Sequence, residues 1–170
     1  MTIGHSTRTL EAFIHLLQTY DVKQVIDVRT VPRSRHCPQF NRENLSHDLR
    51  SAGIDYLPMP GLGGLRHPRR DSTNMGWQNA SFRGYADYME TSAFIRELDA
   101  LIRLAVNQKI ALMCAEALPW RCHRSMIADA LEIRGIKVCH ILSPTHLKPH
   151  EVTSFAEVKE GRLAYPAPKC

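Results

Sequence analysis

The 170-residue sequence is first informative for what it lacks. It has no apolar run approaching the length of a membrane span, and the longest, Ile110 to Ala115, suits a strand instead. The opening MTIGHSTRTLEAF shows no basic, apolar and small-residue succession, so no secretory signal is expected. Five cysteines, an odd number without regular spacing, exclude a disulfide framework and point to a reducing, cytoplasmic compartment. Internal repeats and low-complexity tracts are absent. Acidic residues are missing where basic ones gather: Val28 to Arg42 holds Arg29, Arg33, Arg35 and Arg42 with no acid, and Leu62 to Gly84 holds Arg66, Arg69, Arg70 and Arg83 against Asp71 alone. A formal charge of +5 agrees with an anionic partner and equally with ordinary solubility. Both arginine stretches are rich in Pro, Gly and Asn, which places them in loops.

What is present alternates. The 44% hydrophobic content suffices for one core, and we expect one domain over 1–170 with residues 145–170 as a closing tail. Short strands are predicted at Met1–Gly4, Val25–Val28, Ile54–Leu57, Lys109–Cys114 and Ile136–Leu142. Helices are predicted from a cap at Ser6 or Thr7 to about Tyr20, from Asn41 to Gly53, from about Tyr85 to Met89, over Phe94–Ala105, and over Cys122–Arg134. The region from Gly64 to Phe82 has no period and reads as a long loop of functional type. Ser154–Val158, Lys159-Glu160-Gly161 and Arg162–Tyr165 predict a small hairpin. Strand–helix alternation implies a three-layer α/β fold of Rossmann-like type, a mostly parallel sheet with helices on both faces.

Ligands of such sheets bind beyond the carboxyl ends of the strands. That edge gathers the unusual residues: His5 and Ser6 after the first strand, Arg29 after the second, Gly63 and Gly64 after the third, and Cys114 with Glu116 after the fourth. The last of these opens ALMCAEALPWRCHRSMIADAL, where Arg121 and Arg124 are expected in the first helical turn. Two cations there oppose the helix dipole at roughly 0.3–1 kcal/mol each unless an anion answers them. Glu116 or a bound phosphate could be that anion. Cys122, at a helix start between arginines, is expected to have a lowered thiol pKa, with His123 either its base or a packing residue.

Three chemistries fit this turn. Thiol attack on phosphorus or sulfur would use a cysteine at the strand end and an arginine at the helix start, but Cys114 and Arg121 have six residues between them rather than five, and Glu116 would repel a phosphate. Zinc would suit Cys114, Glu116, Cys122 and His123 by ligand type, yet no paired spacing supports it and adjacent Cys122 and His123 rarely share a metal. A nucleotide or nucleic-acid site would use the arginines for phosphates and Glu116 on a sugar, base or water, with Trp77, Phe82, Tyr85 or Tyr88 stacking a base.

The stretches TIGHS, VIDVR, PQFN, FRGYADYM and above all MCAEALPWRCHR resemble a bacterial family filed as domain of unknown function 488, over Thr2 to about Pro166. The resemblance implies a small cytoplasmic α/β protein, marks His5, Ser6, Asp27, Arg29, Cys114, Glu116, Cys122, His123 and Arg124, and supplies no reaction.

We therefore expect an enzyme whose pocket takes a phosphorylated or nucleotide-like ligand. Glu116, His5 and Cys122 are the catalytic candidates. Ser6, Arg29, Cys114, Arg121, His123, Arg124, Gly63, Gly64, Trp77 and Tyr85 are the ligand-binding candidates. No cofactor or resident metal is assigned, and no membrane partner. The alternatives are a non-catalytic module holding nucleic acid through Arg33, Arg35, Arg69 and Arg70, and a thiol- or metal-dependent redox or sulfur-handling protein.

Overall fold

A computed structural model describes residues 1–159 and 161–167. Among them a six-stranded sheet runs in the order β3-β2-β4-β1-β5-β6, built from β1 (Thr2–Gly4), β2 (Gln24–Asp27), β3 (Asp55–Pro58), β4 (Ile110–Cys114), β5 (Cys139–Ser143) and β6 (His146–Pro149). The first five strands are parallel, and β6 folds back antiparallel on β5. The helices are α1 (Leu10–Thr19), α2 (Arg42–Ser51), α3 (Ala80–Met89), α4 (Ser92–Asn107) and α5 (Arg124–Glu132), and β7 (Glu157–Lys159) with β8 (Arg162–Ala164) forms the separate C-terminal hairpin. Glu160, in the expected hairpin turn, lies outside the described residues. No helix among them is long and apolar enough to cross a membrane.

The run Ile110–Cys114 shows no polar alternation because it is buried on both faces. Ile110, Leu112 and Cys114 point to one core with Leu98, Leu101, Met126 and Ile127. Ala111 and Met113 point to the other, with Phe13, Leu17, Leu45 and Leu49. Thus α1 and α2 cover one face and α3, α4 and α5 the other, giving the three-layer arrangement.

The departures from expectation have local causes. The cap of α1 is Thr9, whose hydroxyl accepts from Ala12 N–H, rather than Ser6 or Thr7. Residues 5 and 6 instead extend the sheet ladder, with His5 N–H donating to Cys114 O and Ser6 N–H to Ala115 O. Ser6 then turns the chain at φ 49°. Helix α3 starts five residues before Tyr85, at Ala80, because the Asn79 side chain accepts from Ser81 and Phe82 N–H. Helix α5 begins at Arg124, since Pro119–Arg121 forms a 3-10 turn and Cys122 is extended. The antiparallel β6 was not anticipated.

The connections from adjacent β1 and β4 diverge. The chain leaves β1 through α1 toward β2, and leaves β4 through α5 toward β5. A crevice opens at the carboxyl end of such a switch point.

Candidate active site

A pocket of about 450 Å³ occupies that crevice. Its lining brings together His5, Arg29, Gly64, Cys114, Glu116, Arg121, Cys122 and His123 from the sequence-derived site, with Arg33 and Phe82 from the nucleic-acid and base-stacking readings, and adds Thr30, Val31, Ser34, Leu65, Ser81 and Ala115. Ser6, Gly63, Arg124, Trp77 and Tyr85 lie outside its lining.

The floor is made by two thiols and an imidazole. Cys114 Sγ, Cys122 Sγ and a ring nitrogen of His123 lie within 4.8 Å of one another, and Cys122 Sγ is 3.6 Å from His123 Nδ1. Both cysteines are buried. The other ring nitrogen, Nε2, is 3.0 Å from Val28 O. A carbonyl only accepts, so Nε2 carries the hydrogen and Nδ1 presents a lone pair to the sulfurs in the neutral ring. Tyr85 packs edge-on against the same ring, at 5.0 Å between centroids, and donates its hydroxyl to Leu62 O. A Cβ on Gly64 would stand 2.5 Å from His123 Nδ1, so glycine is what lets the chain pass over the imidazole.

The two thiols are electrostatically unlike. The hydrogen bond from Cys122 lowers the Cys114 pKa most, burial opposes it, and the His123 ring in its protonated form, with the Glu116 backbone, lowers it further. Cys122 is pushed up by its bond to Cys114 and by burial. The helix-terminus argument puts the thiolate at Cys122, whereas these neighbours favour Cys114. The physical reason is that Cys122 precedes the helix by two residues and spends its hydrogen on Cys114.

Arg29 borders the pocket but is already answered. Its Nε donates to Asp27 Oδ1 at 2.9 Å, and its Nη2 to Asp27 Oδ2 at 2.6 Å and to Phe40 O at 2.8 Å. Tyr56 donates to the same carboxylate at 2.6 Å. Burial works against the Arg29 charge, yet its bonds and charge contact with Asp27 raise its pKa overall. His5 is stacked on Phe40 with centroids 4.3 Å apart. Its Nδ1 donates to Ser6 O, so its Nε2 accepts from Arg29 Nη1 at 3.3 Å. Burial foremost, with Arg29 beside it, lowers the His5 pKa.

Arg124 is turned to the backbone of the loop before it. It is 1% exposed, and its guanidinium donates to the backbone carbonyls of Glu116 at 2.6 Å and Ala117 at 2.8 Å. The Glu116 carboxylate therefore does not neutralise it. That carboxylate is exposed at the rim and, among the described residues, accepts only from Ala117 N–H, at 3.1 Å. Arg33 and Arg121, also exposed, reach the pocket with no ion-pair partner among the described residues.

Trp77 stacks on Phe82 and packs against Phe155 and Tyr165, which anchors the long loop to the tail instead of lining the pocket. Gly63 is needed where a Cβ would meet Thr30 Oγ1 at 2.3 Å. The sequence reading missed Gly4, whose Cβ would lie 1.9 Å from Glu116 O. The signal was a glycine ending the strand register-paired with Cys114. Thr30 and Ser34, in a loop, and Ser81, in the first turn of α3, carried no signal of their own.

A family model described as Domain of unknown function DUF488 matches residues 9–131. No curated protein matches the chain, and no solved structure does.

Proposed function

Because the chain belongs to the DUF488 family, a membership that brings no reaction with it, we propose its function from the pocket's geometry: an enzyme acting on a phosphorylated or nucleotide-like ligand at the carboxyl edge of the sheet. The observation that carries this reading is the set of exposed rim charges with no ion-pair partner among the described residues, Arg33, Arg121 and Glu116, over a floor of Cys114, Cys122 and His123. Of the buried arginines beside the crevice, Arg29 is answered by Asp27 and Arg124 by two backbone carbonyls that leave its Nε unpartnered among the described residues, so the exposed rim groups are the ones placed to meet a ligand. Arg33 and Arg121 hold the anion, Val31, Leu65 and Phe82 wall the remainder, and Glu116 moves a proton at the ligand or at a water beside it. Arg29 and His5 set the shape of the wall.

The test is thermal stability of the wild type, Arg121→Ala and Glu116→Gln against nucleotides, sugar phosphates and short oligonucleotides, followed by turnover assays on any compound that binds. A ligand at a hundred times its Kd adds about 2.7 kcal/mol, on the order of 5–10 °C for a chain of this size. We expect a phosphorylated compound to raise the wild-type Tm, to do so less for Arg121→Ala, and to bind Glu116→Gln without turnover. No shift with any compound would sink the reading. The exposed Arg35 and Arg70 favour the rival, a nucleic-acid-holding module. It predicts oligonucleotide binding that falls steeply with salt and survives Glu116→Gln unharmed.

A further inference from the structure

We propose that Cys114, Cys122 and His123 are ligands to a zinc-class divalent cation held on the pocket floor, with a fourth coordination position open to the pocket. This deepens the enzyme reading and rests on it for the role of the open position, while the metal site itself stands on the three side chains.

The donor set selects the ion. Two thiolates and an imidazole suit zinc and its borderline-soft neighbours and not magnesium or calcium, which take oxygen. The dimensions fit. Zinc bound by sulfur at about 2.3 Å and nitrogen at about 2.0 Å has tetrahedral ligand–ligand edges of about 3.5–3.8 Å. The Cys122 Sγ to His123 Nδ1 separation, 3.6 Å, is already such an edge. The remaining edges, none above 4.8 Å, need to contract by no more than about 1.3 Å.

Adjacent residues rarely ligate one ion together, and the backbone here removes that objection. Cys122 is extended at φ −136°, ψ 143°, and His123 is helical at φ −56°, ψ −19°. The bend between them turns both side chains the same way.

The surroundings are those of a metal ligand. His123 Nε2–H is fixed on Val28 O, the outer-shell bond that orients a ligating imidazole and leaves Nδ1 for the ion. Gly64 clears the space over Nδ1. Charge supports the assignment as well, since two buried thiolates are costly alone and neutral in sum with a dication. Glu116, in the ligand set considered from sequence, is not part of this cluster. It stands at the rim, able to exchange a proton with whatever occupies the fourth position. Three protein ligands and an open position are the pattern of a catalytic rather than a structural site.

The experiment is a Co²⁺ titration of the full, tag-free chain after reduction and dialysis against chelator. We expect saturation at one equivalent per chain, a thiolate-to-cobalt charge-transfer band in the near ultraviolet, the intense visible absorption of four-coordinate cobalt, and displacement by Zn²⁺. Cys114→Ser and Cys122→Ser should each lose charge-transfer intensity. Gly64→Ala, which touches no ion but pushes on the imidazole, should weaken binding about 10–100-fold. Cys139→Ser should leave the spectrum unchanged. A wild-type spectrum that stays that of hydrated cobalt overturns the proposal, whatever the variants do. Ligand-induced Tm shifts without cobalt binding would remove the metal and keep the enzyme reading. Cobalt binding with no response to any phosphorylated compound would keep the metal and remove that ligand class.

Discussion

Two histidine-bearing clusters hang on α5, and each borders a cavity of about 450 Å³, so cavity size does not separate them. Around Asp129 the hydrogen bonding is saturated. Its carboxylate accepts from His150 Nε2 at 2.7 Å, from Thr153 N–H and Oγ1, and from the Tyr165 hydroxyl at 2.8 Å. His150 Nδ1 meets His140 Nε2 at 2.9 Å, and His140 Nδ1 meets Thr2 Oγ1 at 2.7 Å. At the other cluster, the one polar contact of His123 Nδ1 among the described residues is with the Cys122 sulfur. The difference teaches how to tell a fastening from a site. Where every valence is met inside the protein, a buried polar group fixes architecture, here the clasp of the tail onto α5, β1 and β5. Where lone pairs converge on a cavity, capacity is left for something else.

The largest effects should come from the saturated side. Asp129→Ala strands His150, Thr153 and Tyr165 without their acceptor, and we expect a loss of about 3–5 kcal/mol by urea unfolding. Cys114→Ser should cost less than about 2 kcal/mol by the same measurement while losing charge-transfer intensity with cobalt. Equal costs would erase the distinction. Arg124→Ala belongs with the fastenings: removing its two charged bonds to the carbonyls of Glu116 and Ala117 should cost about 3 kcal/mol.

The His140 ring offers a pH test of the same contrast. Burial first, then His150, Arg124, Lys148 and the amino terminus, hold its pKa down at about 3. An unfolded chain protonates a histidine near 6.5. Between those values the unfolded state carries the extra proton, so stability is complete above about pH 6.5 and falls as pH drops, by about 1.4 kcal/mol per unit at its steepest. Unfolding free energies of wild type and His140→Gln between pH 7 and pH 4.5 should converge as pH falls. Parallel curves would mean that the ring is solvated rather than clasped.

The layer order was legible because runs such as Val25–Ile26 and Ile110–Cys114 combine β-branched or apolar residues with burial on both faces, and because Gly53 and Gly135 end helical segments at φ 74° and 79°. The site was legible as an edge, since strand ends can be read even when their registers cannot. What each side chain does there was not. Arg121 and Arg124 look alike in RCHR, and only the 3-10 turn ending at Arg121 and the position of the loop carbonyls send one to the rim and the other into the core. Tyr85 sits in a motif with the right period for either fate; the Leu62 carbonyl behind it decides. The Asp129 cluster gave no signal, because its partners come from a β6 return that a four-residue strand, mostly exposed, does not announce.

The smallest expected effect on stability divides the two arginines. Arg121 is exposed and forms no ion pair among the described residues, so Arg121→Ala should change unfolding free energy by no more than about 0.5 kcal/mol. Its cost should appear in binding: about tenfold in Kd for the phosphorylated ligand, close to 1.4 kcal/mol, with a shallower dependence on salt because one cation fewer meets the anion. A stability loss near that of Arg124→Ala would place Arg121 among the fastenings. An unchanged Kd would leave Arg33 as the arginine that meets the ligand. Measuring both quantities on the one variant separates a charge kept for architecture from a charge kept for a partner.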